Sequence, residues 1–367
     1  MRTHQTIKFI GFLIGIVSIL KGENISKNTK KSHLRWPQEL PWAIRRVMLK
    51  SNLTTVPRMW DYNDQRPQCE GYISADSSWG WGNQISELFS VFGYAIMYDM
   101  KNIMLKAEVR DRFGKVFPAM KAIPAYDELP CKIDNYVEVP LKKGLKFNHT
   151  LNLVSKQFAH DNRIGFTFRK EILQLFDFAE NIKEVIRNTK ARIKATQRQR
   201  MGLKTALPIT LVGIQCRRTD YINHIVFFGG LSVTEYYYYK AMDIMRTKFG
   251  PNIAFVIASD DLLWIREKFG HYSQDVYFAV DYYQDVGGES FVFDFALLAS
   301  LDHIIISPGT FSSNAGYFID GDVIFPDCRF QGRLHATMGT QIFHLSHNWH
   351  SLTDPSFVSI PNLTYAA

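Results

Sequence analysis

Three short segments of the chain gather side chains suited to gripping a diphosphate. The first is Gln215 to Tyr221, QCRRTDY, at the end of the apolar run Pro208 to Cys216. Side chains alternate along a strand, so if Cys216 turns into a core, Gln215 and Arg217 share the opposite, open face. The guanidinium of Arg217 offers a planar fork of donors that matches phosphate oxygens. Arg218 falls on the other side, either paired with Asp220 or Asp294 or engaged with a ligand. Asp220 leaves the strand with the two arginines and stands beside Arg217 as a candidate catalytic residue. The second segment is Ser307 to Asn314, a turn containing Gly309 and the hydroxyls of Thr310, Ser312 and Ser313 that leads into a helix from about Asn314. Backbone N–H groups at a helix start attract anions. The third is Ser259-Asp260-Asp261, where either carboxylate can cap a helix and Asp260 can also hydrogen-bond a ribose or base. Asp294 lies in the apolar run Phe291 to Leu298 and needs a partner there. It either pairs with Arg218 or accepts from the ring N–H and amino group of a guanine.

The elements that must position these residues alternate. Strands are expected at Pro208 to Cys216, Ala254 to Ala258, Val276 to Val280 and His303 to Ser307. Helices are expected at Val233 to Phe249, Leu262 to Phe269, Phe291 to Leu301 and from about Asn314. Such alternation implies a doubly wound parallel sheet, whose ligands bind beyond the carboxyl ends of its strands. All three chemical segments sit at those ends. Nearer the N-terminus the order is a strand at Gly71 to Ser74, the Gly-rich turn Trp79 to Gln84, a helix from Ile85 to Met100 and a strand at Ile103 to Leu105, again an α/β unit. Between the halves, residues 180–204 carry eight Lys and Arg against two Glu, with Ile182, Val185, Ile186 and Ile193 at helical spacing. That pattern is an amphipathic helix with a basic outer face. The net charge of +8 comes without zinc-finger spacing or an aromatic RNA-binding signature, which argues against nucleic-acid binding. The 27 Phe and 17 Tyr exclude a disordered chain.

These motifs, in this order, resemble the α1,2-fucosyltransferases. QCRRTDY is similar to the family's arginine motif. IASDDLLW from Ile257, FVFDFALLASLDHIIISPGTF from Phe291 and YFIDGDVIF from Tyr317 are similar to its later motifs, and GWGNQ from Gly80 to its N-terminal Gly-Asn-Gln turn. The resemblance covers roughly residues 70–330 and is strongest over 211–325. It implies a GT-B-like fold of two Rossmann-like lobes, GDP-fucose as donor, inversion at the fucose carbon and no essential metal or other cofactor. It adds Gly82 and Asn83 to the donor-binding set of Gln215, Arg217, Arg218, Asp260, Asp294, Gly309, Thr310, Ser312 and Ser313. The family motif begins with His where Gln215 stands; Gln can hydrogen-bond a base or phosphate but cannot carry a proton. The Thr310-to-Ser313 turn is more similar to α1,6- and protein-O-fucosyltransferases, which leaves the acceptor class open. Asp76, Glu87 and Glu289 lie near the site segments without any of them standing out as the general base.

The remaining sequence reads as an address. Residues 7–20 form an apolar run expected to act as a signal anchor, with cleavage as the alternative; residues 1–6 are then a cytoplasmic tail and 21–66 a polar stem. An acceptor-side lobe is expected over 67–205, a donor-binding lobe over 206–330 and a tail over 331–367. Sequons at Asn24, Asn52, Asn148 and Asn362 fit a luminal body, and hence a single-pass Golgi membrane protein. Of the four cysteines, Cys69 and Cys131 are a possible disulfide, Cys216 is expected to be a buried thiol, and Cys328 has no assigned partner. The leading expectation is fucose transfer to a glycan with terminal galactose. The alternatives are another acceptor, such as core glycan or protein, or an inactive relative that binds GDP-sugar or glycan.

Overall fold

A computed structural model describes residues 71–75, 80–98, 100, 102–128, 136–139, 152–155, 162–202, 207–227, 232–283, 289–326 and 348–359. The apolar run 7–20, the stem 21–66, Asp76, Cys69, Cys131, Cys328 and all four sequons lie outside them. Among the described residues no helix is long and apolar enough to cross a membrane.

The first lobe holds a parallel sheet in the order β2-β1-β4-β3, with β1 Tyr72–Ala75, β2 Asn102–Ile103, β3 Tyr136–Val139 and β4 Asn152–Ser155. After β1 comes α1, Trp81–Met97, in which fourteen residues from Trp81 to Ala95 are buried. A helix buried over so much of its length is enclosed on every side, its polar Gln84, Ser86, Glu87 and Ser90 included. It lies between the first sheet and the helices α3, Asn162–Thr167, and α10, Thr310–Phe318, with α2, Ala107–Val116, and α4, Arg169–Leu173, completing the lobe.

The second lobe is a six-stranded sheet in the order β11-β10-β9-β5-β7-β8, with every pair parallel. Its strands are β5 Thr210–Cys216, β7 Ile253–Ser259, β8 Val276–Phe278, β9 His303–Ile305, β10 Val323–Pro326 and β11 Trp349–Leu352; β6 Ser232–Val233 pairs separately and antiparallel with β12 Val358–Ser359. Helices cover both faces. On one side α7, Glu235–Phe249, lays Tyr237, Tyr238, Met242 and Met245 on Val212, Ile214 and Cys216. On the other, α9, Ser290–Leu298, packs so closely that a Cβ at Gly213 would meet Leu298 at 2.9 Å. The helices α6, Thr219–Phe227, and α8, Leu262–Phe269, follow β5 and β7. The expected α/β architecture with two parallel sheets is therefore present, and the second sheet is doubly wound. From β5 the chain runs through β7 to β8, then crosses back to β9 on the other side of β5. The strand order reverses between β5 and β9, and in such sheets the ligand crevice opens at that reversal, beyond the carboxyl ends.

The basic helix is α5, Glu180–Arg200, and it buries Ile182, Ile186 and Ile193. A lobe boundary at 205/206 would assign it to the first lobe, yet it packs on β7 and α9 of the second. Gln197 donates to the Ile253 carbonyl at 3.0 Å and accepts from the Tyr277 hydroxyl at 2.7 Å.

Two helix starts differ from the sequence expectation. α1 begins at Trp81 rather than Ile85, and α10 at Thr310 rather than Asn314. The expected turns at Gly82-Asn83-Gln84 and Thr310 to Ser313 are first turns of helices. Gly80 and Gly309 stand at the N-caps and supply no capping side chain, so the usual marker of a helix start is missing. Gly309 has φ of 135°, which a side-chain-bearing residue rarely adopts.

Candidate functional site

At the reversal, β5 and β9 deliver Gln215 to Arg217 and Ser307 to Gly309 side by side. Cys216 is fully buried against α7, and burial pushes its thiol pKa up, so it is an inert core group. Gln215 precedes Cys216 on the strand and takes the other face, and Arg217 follows the last strand residue. The Gln215 side-chain oxygen accepts from the Ser307 hydroxyl. Arg217 is half-buried, and its fork clasps Asp220, with Nε to Oδ1 at 3.1 Å and Nη2 to Oδ2 at 2.7 Å. Asp220 is thus the partner of Arg217, not of Arg218.

Arg218 pairs with neither Asp220 nor Asp294. Its Nε lies 3.2 Å from Asp261, and its guanidinium stacks 4.0 Å above the Trp264 ring. Arg218 is a brace between β5 and α8. The space between Arg217, Arg218 and Tyr238 is about 10 Å³, room for one water and not for a nucleotide. Asp261 caps α8 by accepting from the Trp264 N–H at 3.0 Å. Asp260 caps the neighbouring helix instead, accepting from the Arg218 N–H at 2.8 Å, the Thr219 N–H at 3.2 Å and the Thr219 hydroxyl at 2.7 Å. Both carboxylates are engaged in capping, and Asp260 fixes the elbow that carries Arg217.

Asp294 projects from α9, and its partner is the Tyr283 hydroxyl, not Arg218. Burial pushes the Asp294 carboxyl up to about 6; the Tyr283 hydrogen bond works against that rise, and the charge of Asp260 adds to it. Nothing in the sequence around Tyr283 marks it as this partner, because only the fold brings its hydroxyl to α9.

The hydroxyls after Gly309 divide their work. Ser312 donates to the Ser307 carbonyl at 2.6 Å and Ser313 to the Gly309 carbonyl at 2.8 Å, and both are buried. These two hydroxyls tie down the helix start and do not face a ligand; at this turn it is the backbone N–H groups that are suited to an anion. Thr310 donates to the Asn83 amide oxygen at 2.6 Å. Asn314, which the sequence reading passed over, donates to the Gly82 carbonyl at 2.6 Å and accepts from the Ser86 hydroxyl at 3.0 Å. A Cβ on Gly82 would come 2.7 Å from the Phe311 nitrogen. Gly82 and Asn83 of the first lobe are thereby brought against Thr310 and Phe311 of the second. Two helix N-termini, of α1 and α10, meet there, and each carries positive partial charge.

Around that meeting point Trp81 touches Phe113 and Phe117 of its own lobe and Phe291, Phe295 and Phe311 of the other. Of the remaining carboxylates, Glu87 is fully buried within α1 and Glu289 is exposed at the start of α9. Among the described residues no group of three or more His, Cys, Asp or Glu could hold a metal ion.

Residues 144–325 match glycosyl transferase family 11. The galactoside alpha-(1,2)-fucosyltransferase 2 of Pongo pygmaeus is 30% identical over 302 residues, covering 76% of this chain and 81% of that one. This chain belongs to the galactoside α-1,2-fucosyltransferase family. The Rattus norvegicus galactoside alpha-(1,2)-fucosyltransferase 2 is likewise 30% identical, over 78% of each chain. A solved NodZ alpha-1,6-fucosyltransferase, co-crystallised with GDP, has 14% identity and a TM-score of 0.42 over 70% of this chain and 95% of its own. In this fucosyltransferase the family match takes in β5, β7, β9, α9 and α10, the elements that build the crevice.

Proposed function

We propose that this chain transfers L-fucose from GDP-fucose to a galactose hydroxyl of a glycan, in α-1,2 linkage and with inversion. The observation that carries this reading is the convergence, at the reversal point of the second sheet, of Arg217 and the two helix starts of α1 and α10. The oxygen of an acceptor hydroxyl bonds to the fucose C1 and its proton passes to a base, the bond from C1 to the diphosphate oxygen breaks, and GDP leaves with the bonding electron pair and added negative charge. Preorganised donors at that charge stabilise the transition state more than the ground state. Arg217 and the N–H groups at Gly82-Asn83 and after Gly309 are suited to that task. Asp294 is suited to accept from guanine, and Gln215 to donate to the nucleotide. Catalysis needs no metal in this reading, so activity persists in EDTA; loss on chelation, restored by manganese, overturns that part.

A second reading, the same donor with another acceptor, is favoured by Gln215 in the position of the family's His. Incubating the protein with GDP-fucose and a panel of galactoside, core-glycan and peptide acceptors separates the two. A product cleaved by an α-1,2-specific fucosidase supports the first. Product on the other acceptors alone supports the second, and GDP binding with no product on any acceptor supports an inactive relative.

The apolar run 7–20 and the four sequons support a further proposal: a type II Golgi membrane protein with its body in the lumen. Protein made in animal cells should shift in gel mobility on deglycosylation, and full mobility without treatment counts against a luminal body.

A further inference from the structure

We propose that Ser307 is a positioning residue for the donor nucleotide, acting through the side-chain amide of Gln215. The inference rests on the reading that the crevice beyond β5 and β9 takes a nucleoside diphosphate. Ser307 and Gln215 are both buried, with 2% and 5% of their surface exposed. The Ser307 hydroxyl stands between two groups of the crevice. It accepts from the Arg217 backbone N–H at 3.3 Å and donates to the Gln215 side-chain oxygen. The Ser307 carbonyl takes the Ser312 hydroxyl at 2.6 Å, which ties it to the start of α10.

A hydroxyl has one hydrogen to give, and this fixes the direction of the chain. If the Gln215 amide were flipped, its NH2 would point at Ser307, whose oxygen would then receive two N–H donors. The Ser307 hydrogen would have no other acceptor among the described residues. The orientation that gives the Ser307 hydrogen an acceptor puts the Gln215 oxygen on Ser307 and leaves the amide nitrogen without a partner among the described residues. That nitrogen, two residues before Arg217 at the strand end, is a donor for an acceptor oxygen or ring nitrogen of the nucleotide. Ser307 thereby sets the sign of the contact: a donor faces the crevice, where a flipped amide would present an acceptor to an anionic ligand.

The test is a double-mutant cycle on the full chain, read by GDP titration calorimetry and by steady-state kinetics with GDP-fucose. Ser307→Ala and Gln215→Leu should each weaken GDP binding about five- to tenfold, the worth of one hydrogen bond. The KM for donor should rise more than kcat falls. In the double variant the Ser307 change should add nothing to the Gln215 change. Ser307→Thr and Ser307→Val, matched in shape and different only in the hydroxyl, guard against a folding defect. Thr should hold GDP affinity within about twofold and Val should lose it as Ala does, at equal melting temperature. Equal losses from Ser307→Ala in the wild type and in the Gln215→Leu background overturn the proposal, as does GDP binding untouched by Ser307→Val. Failure of the wild type to bind GDP overturns the nucleotide reading itself and is distinguishable from either.

Discussion

Arg217 holds a carboxylate before any donor arrives, and its fork is half-buried at a strand end held in place from the next strand. Arg217→Ala should lower kcat/KM by about tenfold to a hundredfold, since a charge-assisted contact is worth about 1.5–3 kcal/mol and each 1.36 kcal/mol is tenfold. Arg217→Lys should be nearly as poor, because a point charge cannot reproduce two parallel bonds. An unchanged melting temperature separates this loss from misfolding. Asp294 carries a second prediction. Its carboxyl is raised to about 6 by burial, so in the free enzyme it is largely protonated at pH 5 and ionised at pH 7. Only the carboxylate offers guanine two acceptor oxygens. GDP affinity should therefore climb as pH rises through about 6. In Asp294→Asn that climb should vanish, and a climb that survives the change means the titrating group lies elsewhere. The candidate Gln215 was legible in sequence because strand alternation alone assigns it a face, and Arg217 because it follows the last strand residue. The pairings of Arg218 and Asp294 were not, because Asp261 and Tyr283 come from other elements and only the fold selects them.

At the scale of the element, the helix starts explain what the sequence revealed and what it hid. The start of α8 at Leu262 is legible in the sequence because Asp261 announces it, and that carboxylate accepts from the Trp264 N–H. The sequence pattern puts the starts of α1 and α10 about a turn late, because glycine stands at the cap and the polar residues belong to the helix itself. Ser312 and Ser313 look like ligand contacts on paper; once they lie in a first turn, their hydroxyls fall back onto carbonyls. Gly82 is where the two starts touch, and a methyl group there meets the Phe311 backbone at 2.7 Å and the Thr310 hydroxyl at 2.9 Å. Gly82→Ala should cost about 1–3 kcal/mol of stability, the usual range for overpacking. It should also lower kcat/KM more than an equally destabilising change in the α7 core, such as Met242→Ala. Equal activity in the two variants would show that the contact is packing alone.

Over the whole molecule, the two sheets are joined by rings more than by charges. Trp81, Phe117, Phe178, Phe295 and Phe318 form a continuous aromatic seam that includes residues of both lobes. The seam was not legible in the sequence: abundant Phe and Tyr show that a large core exists, not where it runs. A seam of that kind couples the lobes, so thermal unfolding of the described body should be a single transition. Phe295→Ala should lower it as one step, at a cost of about 3–5 kcal/mol. Two resolved calorimetric transitions would contradict the coupling. The excess positive charge also finds its place at this scale. Arg192, Arg198 and Arg200 of α5 donate to the carbonyls of Tyr282, Leu207 and Gln274. The basic face of that helix fastens it to the second lobe.

The clasp between Arg217 and Asp220 bears on how fast the enzyme can turn over. With Asp260 fixing the elbow, Arg217 can change partners only by rotating its own half-buried side chain. Asp220 is then a competitor held at permanently high local concentration, ready to reclaim the guanidinium whenever the spent nucleotide loosens. Such a rival weakens the grip on GDP and shortens its stay. Asp220→Asn should hold GDP several times longer in a stopped-flow chase; if product release limits the cycle, the tighter-binding enzyme will be the slower one.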